Sequence, residues 1–81
     1  MTQPQPFAAP PEQTPDQALS ATIRSYLAYR QAKQSDLAVA LGISQPQVSA
    51  RMRGEVRWTV SELYTVANFL GVTPGSLLDA A

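Results

Sequence analysis

Cysteine and histidine are both absent from the 81 residues, and each absence removes a class of chemistry. Without cysteine there is no disulfide, no iron–sulfur cluster and no thiol nucleophile, a composition that suits a reducing, cytoplasmic setting. Without histidine as well, a zinc site would have to be built from six scattered carboxylates, a donor set that zinc sites rarely use. No metal or other cofactor is therefore expected, and no small-molecule site is evident. A Ser–Lys pair with a plausible base and a glycine-rich phosphate loop are missing too, so the sequence offers no route to an enzyme. No apolar run approaches the ~18–20 residues that a membrane-spanning helix needs. The N-terminal residues lack the basic-then-apolar order of a secretion signal. Period-2 alternation is absent over any useful length, so no sheet is expected.

What is present is enough for one domain. A core of this size leaves a net stability on the order of 5 kcal/mol, so each cap and apolar contact counts. The formal net charge is zero, but its distribution is uneven. All six basic residues lie between Arg24 and Arg57, where Asp36 and Glu55 are the acids; Glu12, Asp16, Glu62 and Asp79 lie outside. A basic middle fits a polyanionic partner, and equally an ordinary solvated surface.

Residues 1–13 hold Pro4, Pro6, Pro10 and Pro11, four of the seven prolines, among several glutamines. Such a composition cannot pack a core and favours extended conformations, so a disordered Pro/Gln-rich tail is expected, with a proline-motif docking site as the alternative. Residues 14–81 form the expected helical domain. Thr14-Pro15-Asp16-Gln17 is a helix start. Leu19, Ile23, Tyr26, Leu27 and Arg30 then share one face of a helix over about 15–31. A second, short helix over about 34–41 buries Leu37, Ala38 and Leu41 and ends at Gly42. Ser44 caps a third, with Pro46 in its first turn, running to about Arg53 and stopping at Gly54. Thr59-Val60-Ser61-Glu62 starts a fourth, which carries Leu63, Val66, Ala67 and Leu70 on one face and ends at Gly71. Thr73-Pro74 starts a fifth with Leu77 and Leu78, which either close the core or help to form a dimer. Tyr26, Leu27 and Phe69 are expected in the core, Tyr29 and Tyr64 outside it. Trp58 is expected to anchor packing, with an indole contact to phosphate as the alternative.

The informative unit is helix 2, the turn at Gly42, and helix 3. A helix-turn-helix needs a small residue in its first helix, glycine in the turn, an apolar residue after it and another inside the second helix. Ala38, Gly42, Ile43 and Val48 meet those needs in order. At about 100° per residue, Val48 and Met52 point together to the core. The opposite side carries Pro46, Gln47, Ala50 and Arg53, with Gln45 at the N-terminal end, and no acid lies between Ser44 and Gly54. A helix entering a major groove needs such a face, because bulk or negative charge would hold it off the phosphates. Glutamine can pair two-pronged with adenine, and alanine can touch a thymine methyl.

From about Ile23 to Leu78 the sequence resembles the Cro/repressor-type helix-turn-helix domain, also called lambda-repressor-like or XRE-type. The resemblance is carried by Gln34, Leu37-Ala38, Leu41-Gly42-Ile43-Ser44-Gln45, Val48-Ser49, Arg53-Gly54, Glu62-Leu63, Ala67, Leu70-Gly71-Val72 and Leu77-Leu78. It implies an all-α, compact five-helix fold whose third helix reads the major groove. By that resemblance Gln45, Pro46, Gln47, Ala50 and Arg51 form the base-contacting set. Lys33, Gln34, Ser44, Ser49, Arg53, Arg57 and Thr59 form the phosphate-contacting set. Lys33 stands where a Thr or Ser cap is usual, and Pro46 where a hydrogen-bond donor is usual. Arg51 stands where an apolar residue is common; a phosphate contact, or an ion pair with Asp36 or Glu55, are its alternatives to a base. The implied function is sequence-specific binding of double-stranded DNA as a transcriptional regulator, a repressor or Cro-like protein of a bacterial host or its phage. A homodimer on a palindromic operator with half-sites about 34 Å apart is expected. The alternative is an antitoxin-type, protein-binding module that also binds its own operator.

Overall fold

The computed structural model describes residues 14–79; the expected Pro/Gln-rich tail lies outside them. Five helices follow one another: α1 (Pro15–Tyr29), α2 (Gln34–Leu41), α3 (Gln45–Met52), α4 (Val60–Leu70) and α5 (Pro74–Asp79), with no strand among the described residues. Three of them begin as the capping signals require. Thr14 Oγ1 accepts from the Gln17 amide while Gln17 Oε1 accepts from the Thr14 amide. Ser44 with Gln47, and Thr59 with Glu62, repeat the reciprocal pair. α2 has half of it. The Asp36 carboxylate accepts from the Lys33 amide at 3.0 Å, but a lysine side chain has no acceptor with which to answer.

The helix ends follow backbone sterics. Gly42 closes α2 at φ 71°, a left-handed conformation that costs other residues about 1–2 kcal/mol. α1 differs from expectation. It stops at Tyr29 rather than near residue 31, and Gln31 takes φ 56°. The Gln31 amide donates to the Ala28 carbonyl and the Ala32 amide to that of Leu27, so two orphan carbonyls of the helix end are satisfied. Glycine usually marks such an end, and none is present here.

The core collects one stripe from each helix: Leu19, Ile23 and Leu27 of α1, Leu37 and Ala38 of α2, Val48 and Met52 of α3, Leu63, Val66, Ala67 and Leu70 of α4, and Leu77 of α5. α1 lies against α3 and α5, α2 against α3 and α4, and α4 against α5. Leu77 closes the core, whereas Leu78 is exposed. Tyr26, Leu41 and Phe69 pack at its edge, half-buried rather than inside, and Tyr29 and Tyr64 are exposed. Trp58 is buried between α3 and α4 in sequence, as a packing anchor should be.

One buried polar residue joins three parts of the chain. Ser20, 1 % exposed, accepts from the Trp58 indole Nε1–H at 3.2 Å and donates to the Arg51 carbonyl at 3.0 Å. The indole N–H is thereby consumed inside the protein, which removes the phosphate contact considered for it. Ser20→Ala is expected to lower the unfolding free energy by about 1–3 kcal/mol, because a buried donor loses its partner. Urea denaturation measures this, and an unchanged midpoint would show that the relay contributes nothing.

Candidate nucleic-acid interface

α3 has eight residues, fewer than the ~12–15 that an isolated helix needs in water. Its shape is therefore imposed by its neighbours, and each of them contributes. Val48 and Met52 bury its inner side. At its N-terminus, the box of Ser44 and Gln47 occupies two orphan amides. At its C-terminus, Ser20 donates to the Arg51 carbonyl and Arg24 Nη2 to the Met52 carbonyl at 3.3 Å, both from α1. Toward α2, Ser49 Oγ donates to Gln34 Oε1 at 3.2 Å.

The outward side is what the sequence assigns to base contact. Gln45, Pro46 and Gln47 are exposed, and Ala50 is half-buried beside them. Gln45 is exposed at the start of the helix. Gln47 has lent its oxygen to the Ser44 amide, and its NH2 group remains to donate. Gln34 is in the same position, with its oxygen taken by Ser49. In both, the NH2 group is left to donate, which suits phosphate oxygens and base acceptors.

Arg51 takes an ion-pair partner that the sequence reading does not name. The sequence reading puts it among the base contacts, with Asp36 or Glu55 as ion-pair alternatives. In the structure its side chain is 13 % exposed and turned against α4. Nε and Nη2 donate to the two carboxylate oxygens of Glu62, each at 3.1 Å, and Nη1 donates to the Gln47 carbonyl at 3.0 Å. Asp36 is occupied with the Lys33 amide, and Glu55 takes Arg53. The sequence signal for Glu62 was its place in a capping box. Its second role depends on how α4 packs, which periodicity does not report. Ser20 was missed as well, although it falls three residues before Ile23 and seven before Leu27, in the buried stripe of α1.

Three further cations are assigned to phosphate by the sequence. Lys33 is exposed at the start of α2. Arg53 pairs with Glu55 at 2.8 Å, and Arg57, 84 % exposed, with Asp16 at 3.0 Å. Hydrogen bonding to Glu55 and its charge raise the Arg53 pKa, and the same contacts lower that of Glu55. An exposed pair such as Arg53–Glu55 contributes little to stability. The helix N-termini at Ser44 and Thr59 add the partial positive charge that favours anions. Among the described residues no cluster of acidic side chains could hold a metal ion, and no helix is long and apolar enough to cross a membrane.

The comparisons agree with this geometry. The family model for the Cro/C1-type HTH DNA-binding domain matches residues 22–80. Among solved structures, the clp gene regulator ClgR from Corynebacterium glutamicum is 28 % identical with a TM-score of 0.80, over 86 % of this chain and 74 % of that one. The hypothetical transcription factor NHTF from Neisseria is 29 % identical with a TM-score of 0.75, over 90 % of this chain and 84 % of that one. No curated protein sequence matches.

Burial pushes the Glu62 carboxyl upward, but hydrogen bonds from Arg51 and Thr59 and the charge of Arg51 outweigh it, and its pKa lies below the ordinary 4.5. A depressed folded-state pKa gives stability that is present above the unfolded value and is lost as pH falls through the folded one. Thermal unfolding should therefore show stability falling below about pH 4.5, and Glu62→Gln should flatten that fall relative to wild type. Parallel pH curves for the two proteins would remove Glu62 from the acid response.

Proposed function

The chain belongs to the Cro/C1-type helix-turn-helix DNA-binding domain family, and from that premise we propose that it is a sequence-specific transcriptional regulator, acting as a repressor. The observation that carries this reading is the outer face of α3, which is free of acids and carries exposed Gln45, Pro46 and Gln47 opposite the buried Val48 and Met52. With α3 in the major groove, Gln45 reads base edges two-pronged, Gln47 donates to a base acceptor, and Pro46 and Ala50 supply apolar contact. Lys33, Gln34, Ser44, Ser49, Arg53, Arg57 and Thr59, with the open α4 amides that follow it, lie along the phosphate backbone. Arg53 and Arg57 leave their carboxylates for phosphates on docking. The structural neighbours, a clp gene regulator and a hypothetical transcription factor, support the regulatory reading.

A face this small makes few contacts. Useful affinity is reached by two copies on half-sites about 34 Å apart, so the operator is palindromic and the bound species a homodimer. Selection from a randomised duplex library is expected to return such a palindrome. Affinity for it should fall steeply with salt as counterions are released. Gln45→Ala should relax base preference at one position per half-site. Arg53→Ala should weaken all sequences alike and reduce the salt slope by about one per bound copy. A library that returns no preferred sequence at physiological salt would overturn the proposal.

A further inference from the structure

We propose that the Arg51–Glu62 pair is a positioning device that sets the angle of α3 against the N-terminus of α4, and that sequence discrimination depends on it although neither side chain touches DNA. The inference rests on α3 being the groove-reading helix. Arg51 lies on the flank of α3, and its guanidinium spends all three nitrogens within the protein. One side grips its own helix at the Gln47 carbonyl. The other makes the two-pronged contact with Glu62. Glu62 Oε1 in turn accepts from the Thr59 amide at 3.0 Å. A continuous path of hydrogen bonds therefore runs from Gln47, which also caps α3, to Thr59, which caps α4.

The chemistry suits alignment more than attraction. A planar fork on a carboxylate fixes direction as well as distance. The side chains are 13 % and 19 % exposed, so solvent competes weakly for the contact. On its inner side α3 is packed directly: α1 and α2 both lie against it. Between α3 and α4 this pair is the polar tie. It joins the helix that reads bases to the helix end whose amides dock on phosphate. A register held from two points is sensitive to the angle between them.

The test uses the full chain, a duplex selected by the wild-type protein and a scrambled duplex of equal length, each titrated at several salt concentrations. Arg51→Met keeps the aliphatic stem, and Glu62→Gln keeps the acceptor for Thr59. Each is expected to weaken the selected duplex about tenfold and leave the scrambled one within about twofold, and the double variant should lose no more than either single one, as coupled partners do. The salt slope should not change, because no phosphate contact is removed. Thermal unfolding establishes that each variant is folded. Arg51→Lys, which keeps the charge without the fork, should fold and lose about threefold. If Arg51 instead contacts DNA, Glu62→Gln will tighten binding and Arg51→Met will lower the slope by about one per copy, and the proposal fails. Folded variants with wild-type discrimination overturn it equally. A wild-type protein that does not distinguish the two duplexes overturns the regulator reading itself, and this proposal with it.

Discussion

An eight-residue helix cannot hold its own shape in water, and this constraint organises the molecule. Nucleation is costly and too few hydrogen bonds follow to repay it. α3 is a helix because Val48 and Met52 are buried, because Ser44 and Gln47 close its first turn, and because α1 supplies donors for its last carbonyls. Its outer face is free to carry Gln45, Pro46 and Gln47 because none of them is needed for folding, apart from the capping oxygen of Gln47. The buried side of the helix holds the fold, and the other side is left open to solvent.

The division extends to charge. Of the basic residues, Arg24 and Arg51 are turned to internal acceptors, a carbonyl and a carboxylate. Arg53 and Arg57 are themselves exposed; Glu55, the partner of Arg53, is exposed too, whereas Asp16, the partner of Arg57, is half-buried. The first kind stabilises geometry, since its partners are fixed and partly shielded. The second can change partners at little cost. A chain with no net charge can thus meet a polyanion, because the acids that balance its arginines are those most easily displaced or already committed elsewhere. Asp36 and Glu62 are committed to helix starts.

Much of the fold is legible in the residues. Caps at Thr14, Ser44 and Thr59 and left-handed turns at Gly42 and Gly71 are local, and they stand where the sequence marks them. The C-terminus of α1 is the exception, since Gln31 takes the role of glycine without announcing it. Apolar spacing placed Leu19, Ile23, Leu27, Val48, Met52 and Leu70 inside for the same local reason: the period of a helix is a property of the backbone. It was less informative at the margins. Whether Tyr26 and Phe69 are inside or at the edge depends on what lies over them.

The sequence by itself determined five helices, their starts, and an outward face on α3 with glutamines and no acids, because these follow from bonds and periods within a few residues. Only the tertiary structure decided what the long polar side chains do. Ser20 meets Trp58 across 38 positions, and Arg51 meets Glu62 across 11. Such pairs form because the packing of α1 and α4 brings them within reach, and a guanidinium takes the acceptor that geometry offers. The position of Arg51 in the sequence left its partner open; the packing of α4 brings Glu62 within its reach.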